Sequence, residues 1–125
     1  MPQASSTNKN NKIPQKSLEN KDISFVVVII PTKEQVDVNL FREIVEKSGG
    51  NVEDYDLDKS QREIKEILEF LEIDYIDLLP ILREENIDNT FYFETNIHFN
   101  LDGYERVKEI VYENIQEKIW KLSFL

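Results

Sequence analysis

Alternating apolar and polar stretches along the chain predict two buried strands with helices between and after them. The first strand is a run of six apolar residues from Phe25 to Ile30, which Pro31 ends. A continuous apolar run of this length is typical of a parallel strand covered on both faces. A second, shorter strand is predicted from Ile73 to Leu78, with Asp77 near its end. Strands that alternate with helices indicate a three-layer α/β fold, in which helices flank a parallel sheet.

Apolar residues that recur every three to four positions predict three helices. We expect the first helix to begin at a capping box over Thr32–Gln35 and to end at residues 48–50, which are Ser-Gly-Gly. Asp58 is expected to cap the second helix. After Pro80, residues 81–89 are expected to form a short helix or an irregular loop. The three apolar faces are, in order, Val36, Leu40, Phe41, Ile44 and Val45; Ile64, Ile67, Leu68 and Leu71; and Leu101, Tyr104, Val107, Val111, Ile115 and Ile119.

The chain has 125 residues, which is enough for one domain. Residues 1–22 are rich in Asn, Gln, Ser and Lys and have few apolar side chains, so we expect a disordered polar tail. Residues 23–119 are predicted to form the α/β domain. Residues 120–125 are an apolar C-terminal tail, which is expected to pack on the domain or on a partner.

The charge and composition of the chain argue against several classes of function. The 15 Lys and Arg residues are outnumbered by 25 Asp and Glu residues, so a basic patch for nucleic acid or for an anionic membrane surface is disfavoured. The absence of cysteine removes disulfides and thiol chemistry. No segment has the length and hydropathy of a membrane span, and residues 1–22 lack the apolar centre of a signal peptide. The chain as written is therefore expected in the cytoplasm.

Candidate chemistry centres on His98, the single histidine of the chain, in the segment that enters the last predicted helix. Such loops commonly carry catalytic groups, although many isolated histidines only make a surface hydrogen bond. One histidine without cysteine provides few ligands for a transition metal. Asp54, Asp56 and Asp58 alternate as in a calcium loop, but the glycine and glutamate of such a loop are not at their spacing. We therefore expect neither a metal nor a cofactor.

The segment from Phe91 to Tyr104 resembles the last conserved block of the SGNH (GDSL-type) hydrolases, Asp-x-His-aromatic-Asn-x-x-Gly. Four positions match this block, and Asn96 stands at the position of its Asp; the matching residues are His98, Phe99, Asn100 and Gly103. Residues 27–36 resemble a central strand and loop of the family, and residues 56–80 resemble the helix and strand that precede the His block. The resemblance runs in one order from residue 25 to about residue 118. It implies an incomplete flavodoxin-like SGNH fold.

The resemblance also implies an ester hydrolase or an O-acyltransferase. In that family a serine attacks an acyl carbonyl, the histidine takes its proton, and an aspartate two residues earlier orients the ring. His98 occupies the position of the histidine, and Asn96 occupies the position of the aspartate. Asn96 can meet the ring but cannot stabilise the imidazolium as a carboxylate does, and an amide is also able to select the other tautomer. Glu94 would replace it only if the loop bends suitably.

The nucleophile of the family is missing from the sequence. It lies in a Gly-Asp-Ser motif near the amino end of the family's domain, and no serine of this chain follows Gly-Asp. The family's separate glycine block is missing as well. What remains resembles the carboxyl-terminal half of the domain.

Three hypotheses follow from these observations. The first is the carboxyl-terminal part of an SGNH-type esterase or O-acyltransferase, which is inactive alone, needs a complementary Ser-bearing half, and acts on an acyl ester once completed. The second is a non-catalytic α/β interaction module that has degenerated from the family. The third, ranked last, is a hydrolase that uses a carboxylate pair. A half sheet would leave the first strand without a neighbour, so we also expect a homo-oligomer or a strand-donating partner.

Overall fold

The computed structural model describes residues 25–88 and 90–123, with the backbone alone for residues 121–123. The predicted polar tail, residues 1–22, and the last two residues of the predicted apolar tail lie outside the described residues. The elements are β1 (Val26–Ile29), α1 (Lys33–Val36), α2 (Val38–Lys47), a 3-10 helix (Val52–Asp54), α3 (Lys59–Phe70), β2 (Asp74–Asp77), α4 (Leu79–Glu85) and α5 (Leu101–Ser123).

The two strands lie side by side in a parallel sheet, and both were predicted to within one residue at each end. Val26 lies opposite Asp74, and Ile29 lies opposite Asp77. Every residue of β1 is β-branched, and such side chains favour an extended backbone. In the described part of the chain the sheet has two strands, so each strand is paired along one edge.

Helices cover both faces of this sheet. Val26 and Val28 pack against a large apolar cluster on the side of α4 and α5, whereas Val27 and Ile29 pack on the side of α3 with Leu68. The buried members of the large cluster are Val36, Ile76, Leu78, Leu79, Leu82, Phe91, Tyr92, Phe99 and Ile110. The arrangement of helix, sheet and helix confirms the predicted three-layer α/β fold with a parallel sheet.

The first predicted helix is divided into α1 and α2. The predicted capping box is present, because the Thr32 side chain accepts from the Gln35 backbone N–H and the Gln35 side chain accepts from the Thr32 N–H. Asp37 then leaves the helical conformation, with φ −99° and ψ 87°, and its carboxylate caps α2 through the Leu40 N–H at 3.1 Å. Gly49 stops α2 with a φ of +81°, a conformation that favours glycine.

Asp58 occupies the N-cap position of α3, as predicted, but its side chain does not form the expected cap hydrogen bond. Its carboxylate instead binds the Arg83 guanidinium of α4 at 2.7 and 3.1 Å. A guanidinium in fork geometry is a stronger hydrogen-bond donor to a carboxylate than a backbone N–H is. On the predicted apolar face of α3, Leu68 is buried, whereas Ile67 is exposed.

The buried face of α5 is rotated relative to the predicted stripe. Gly103 and Ile110 are buried and Val107 is half-buried, whereas the predicted Leu101 and Tyr104 are exposed. Gly103 brings the start of α5 against the chain at residue 91, and this contact fixes which side of the helix faces the core. Among the described helices, none combines the length and the hydropathy that a membrane span requires.

Candidate functional site

His98 lies in a tight loop that leaves the body of the protein and returns to it. Tyr92 and Phe99 form an antiparallel bridge at the base of this loop. Two backbone hydrogen bonds close it: the Phe93 N–H donates to the His98 carbonyl at 3.0 Å, and the Asn100 N–H donates to the Phe91 carbonyl at 2.9 Å. Side chains alternate at the return of the loop, so Phe99 points into the core while His98 is exposed. The predicted position of His98, before the last helix, is therefore correct.

Asn96 is the side chain that meets the imidazole. Its Oδ1 lies 3.3 Å from His98 Nδ1 and accepts the His98 backbone N–H at 2.9 Å. A backbone N–H can only donate, so the amide oxygen rather than the amide nitrogen faces His98. An oxygen acceptor at Nδ1 selects the tautomer with the proton on Nδ1 and leaves a lone pair on Nε2. This arrangement favours the tautomer of a general base.

Phe99 anchors the loop in the core. Its ring stacks on the ring of Tyr92, with centroids 4.7 Å apart, and meets the ring of Tyr104 edge-on at 5.9 Å. Tyr92 and Phe99 are both buried members of the large apolar cluster. Since His98 is the immediate neighbour of Phe99, this packing fixes the point from which the imidazole projects.

Asn100 joins the loop to α5. Its Oδ1 accepts the Gly103 N–H at 2.9 Å, which is the usual hydrogen bond of a helix cap. Its Nδ2 donates to the Thr90 carbonyl at 2.7 Å and to the Tyr92 carbonyl at 3.3 Å. One side chain thus caps the helix and holds both sides of the loop base together.

Gly103 completes the matching positions of the block through its lack of a side chain. A Cβ at this position would overlap the Phe91 carbonyl oxygen and lie 2.9 Å from Phe99 Cδ1. Only glycine leaves room for α5 to approach the loop base this closely. Phe99, Asn100 and Gly103 therefore act on the scaffold that carries His98, which gives a physical reason for their spacing.

A buried hydrogen bond places the loop beside the end of β1. The Tyr92 hydroxyl donates to the Pro31 carbonyl at 3.1 Å, just beyond the last residue of the strand. Burial raises the pKa of the Tyr92 hydroxyl, and the negative charge of Glu34 adds to the shift. In open parallel sheets, ligands bind outside the carboxyl ends of the strands. The loop of His98 is thus attached at the carboxyl end of β1, where a ligand site is expected.

Lys33 is the residue of this region for which the sequence offered the weakest signal. The ammonium group donates to the carbonyl oxygens of Phe93, Glu94 and Asn96 at 2.7, 3.0 and 3.4 Å. Read from the sequence, a lysine after a buried strand is most simply a solvated loop residue. Its position after a strand whose end faces a site was the one available hint.

The structure also shows which side chain meets the imidazole and what the described serine hydroxyls bind. Asn96, rather than Glu94, meets the imidazole, and Glu94 contributes its backbone carbonyl to Lys33. The Ser48 hydroxyl donates to the Val45 carbonyl at 2.7 Å, and the Ser60 hydroxyl donates to the Gln61 side chain at 2.9 Å. Among residues 25–88 and 90–120, neither serine is hydrogen-bonded to His98.

Asp56 and Asp58, two of the three alternating aspartates, form ion pairs with arginines. Asp56 pairs with Arg62, which lowers the pKa of the carboxyl through a charged hydrogen bond. Arg83 lowers the pKa of Asp58 in the same way. Within the described ranges, no three His, Cys, Asp or Glu side chains come together as a possible metal site.

Comparison with known proteins extends the sequence resemblance. The family model described as the SGNH hydrolase-like domain of acetyltransferase AlgX matches residues 2–123, which is nearly the whole chain. No curated protein and no solved structure matches the sequence. The match agrees with the α/β fold and with the resemblance of residues 91–104 to the His block.

Proposed function

Because this chain belongs to the SGNH hydrolase-like domain family of acetyltransferase AlgX, we propose that it carries the His-bearing part of a site for O-acyl transfer or ester hydrolysis. The observation that carries the proposal is the hydrogen bond geometry of Asn96 and His98, 3.3 Å between Oδ1 and Nδ1. It leaves the Nε2 lone pair of an exposed imidazole free to take a proton. The rigid attachment of the loop through Phe99, Asn100 and Gly103 supports the same role.

In the proposed reaction, Nε2 of His98 takes the proton of a serine hydroxyl while the serine oxygen bonds to an acyl carbon. The alcohol of the ester then leaves and receives this proton from the imidazolium, so the acyl group remains on the serine. A second alcohol or a water molecule removes the acyl group by the same steps in reverse. The first acceptor gives O-acyl transfer and the second gives hydrolysis.

Asn96 is expected to make this reaction slower than an aspartate at the same position would. Its amide oxygen selects the useful tautomer, but a neutral amide gives an imidazolium less stabilisation than a carboxylate. When the orienting aspartate of a serine protease is replaced by asparagine, kcat falls by about 10⁴. The correct amide orientation removes only the part of such a loss that comes from the wrong tautomer. We therefore expect a slower base than an Asp–His pair.

The serine is proposed to come from a part of the site other than the described residues 25–88 and 90–120, where the two serine hydroxyls are bonded elsewhere. A complementary Ser-bearing half would add its strands to the sheet. The unpaired edges of β1 and β2 in the described region are suitable places for such pairing. Alone, the chain is expected to be inactive on esters.

A fluorophosphonate probe tests the proposed function. Such a probe forms a covalent bond with a serine only when a neighbouring base activates the hydroxyl, and it releases fluoride. The tagged chain is expressed in its native cells, so that the proteins that bind it are present. We expect labelling of one serine there and loss of this labelling in His98→Ala. Asn39→Ala, an exposed substitution on α2, serves as the control and should leave labelling unchanged.

Two results would contradict the catalytic proposal. One is labelling that His98→Ala leaves unchanged, and the other is the absence of any labelled serine on the chain or on the proteins that bind it. Either result would favour the non-catalytic interaction module, for which the replacement of the family aspartate by Asn96 is the supporting observation. Rapid ester hydrolysis by the purified chain, lost in His98→Ala, would contradict its expected inactivity alone.

A further inference from the structure

The ammonium group of Lys33 occupies the centre of the turn that carries Asn96. An ammonium group has three donors and no acceptor, and here three backbone carbonyl oxygens lie within 2.7 to 3.4 Å of it. These carbonyls belong to Phe93, Glu94 and Asn96, which are 60 to 63 positions away along the chain. The turn therefore wraps around a positive charge supplied by a different element.

The base of this lysine is held firmly. Lys33 is the first residue of α1, between Thr32 and the buried Gln35. The Gln35 side chain exchanges hydrogen bonds with the amide of Gln61 on α3, and its backbone carbonyl accepts from the Arg83 guanidinium at 2.9 Å. Lys33 thus projects from a point that is tied to α3 and α4, and its reach to the loop starts from a rigid support.

Asn96 connects this ammonium group to the imidazole. Its backbone carbonyl accepts from Lys33, and its side-chain oxygen faces Nδ1 of His98. Without the ammonium group, water would satisfy these exposed carbonyl oxygens one by one, and the turn would lose the single donor that joins residues 93, 94 and 96. The Asn96 side chain would then lose the position from which it selects the tautomer of His98.

We propose that Lys33 is a positioning residue, whose ammonium group holds the turn of residues 93–96 and thereby keeps His98 in the tautomer with the proton on Nδ1. This inference rests on the proposed function, because the tautomer of His98 affects a reaction only if His98 acts as its base. It differs from a general contribution to stability, because it predicts a change at one atom of one side chain. Lys33 itself touches neither the imidazole nor the proposed serine in this account.

Nitrogen-15 NMR of the imidazole gives a direct test, because His98 is the single histidine and its ring signals need no separation from others. At a pH where the ring is neutral, the wild-type chain is expected to hold the Nδ1–H tautomer as the majority. In Lys33→Met, which keeps the length of the side chain without its charge, this tautomer should fall to a minority. Lys33→Arg keeps the positive charge and should return the population toward that of the wild type.

Lys59→Met is the matched control, because Lys59 is an exposed lysine of α3 that forms only a long surface ion pair with Glu63, at 4.0 Å. It should leave the tautomer unchanged. If Lys33→Met does not fold, Lys33→Gln provides the same loss of charge in a polar side chain and should give the same change. Wild-type tautomer populations in a folded, uncharged variant at position 33 would overturn the inference.

The NMR result separates this inference from the proposed function. A tautomer change in Lys33→Met without any His98-dependent serine labelling would keep the positioning role and overturn the catalytic role. His98-dependent labelling with an unchanged tautomer would keep the catalytic role and overturn the positioning role.

Discussion

At the scale of single residues, the site is explained by what each side chain of the His block does for its neighbour. Phe99 fills the core, Asn100 caps α5, and Gly103 admits the helix to the loop base. The sequence pattern predicted these positions as a block, since the resemblance preserved their spacing. It could not predict the Asn96 amide orientation, because that depends on the backbone N–H of His98, which only the folded loop brings into place.

Gly103→Ala tests the close approach of α5. The added methyl group would overlap the Phe91 carbonyl oxygen, a backbone atom that cannot move aside as a flexible side chain can. We expect a loss of about 1–3 kcal/mol in the free energy of unfolding, measured by urea denaturation. Gly50→Ala is the control, because its new Cβ would meet a side-chain atom of Val45 at 3.2 Å, and its cost should be smaller. Equal losses in the two variants would contradict the account.

At the scale of elements, the sequence predicted where strands and helices lie better than which way they face. The Phe25–Ile30 run and the Thr32–Gln35 capping box act locally, and both predictions were confirmed. The division of the first helix was missed although its signal, the Asp37 cap on the Leu40 N–H, is local. The rotation of α5 was missed because it depends on the contact of Gly103 with the chain at residue 91. The position of Asp58 at the start of α3 was predicted, but its side-chain partner was not, because Arg83 lies 25 positions away.

The pair of Asp58 and Arg83 predicts how stability depends on pH. The pairing lowers the pKa of Asp58 in the folded protein below the ordinary value of 3.8. The folded state therefore binds this proton less readily than the unfolded chain does. The stability that the pair provides is fully present above pH 3.8 and is lost as the pH falls through the lower folded-state pKa. Because the pair is partly exposed, we expect less than about 1 kcal/mol.

Urea denaturation at neutral and acidic pH measures this contribution. Asp58→Asn should lower stability at neutral pH and should show a smaller further loss on acidification than the wild-type chain. Asp88→Asn, at an exposed position after α4, is the control and should retain the wild-type dependence on pH. A wild-type pH dependence in Asp58→Asn would show that the ion pair does not contribute.

At the scale of the whole molecule, the described region has three layers, with a two-stranded sheet between two layers of helices. The family and the α/β class could be inferred from the sequence, because strand composition and the His block are local patterns. The partner of the sheet edges could not be inferred, since an edge carries no mark in the sequence of what pairs with it. We propose that, without a Ser-bearing half, a second copy of the chain covers an edge.

Light scattering during size-exclusion chromatography tests the expected self-association. The chain has a mass of 14.8 kDa, and we expect the measured mass to exceed this value and to rise with protein concentration. Association through a strand edge buries backbone donors and acceptors that water otherwise satisfies. A mass equal to that of the monomer at every concentration would contradict the proposed pairing between copies.

The central claim is that His98, oriented by Asn96, is the base of an acyl-transfer site. The most direct measurement is the rate of serine labelling by the fluorophosphonate probe in the wild-type chain, His98→Ala and Asn96→Asp, each in its native complex. We predict loss of labelling in His98→Ala and faster labelling in Asn96→Asp, because a carboxylate would stabilise the imidazolium that the reaction forms. Equal rates in all three chains would contradict the claim.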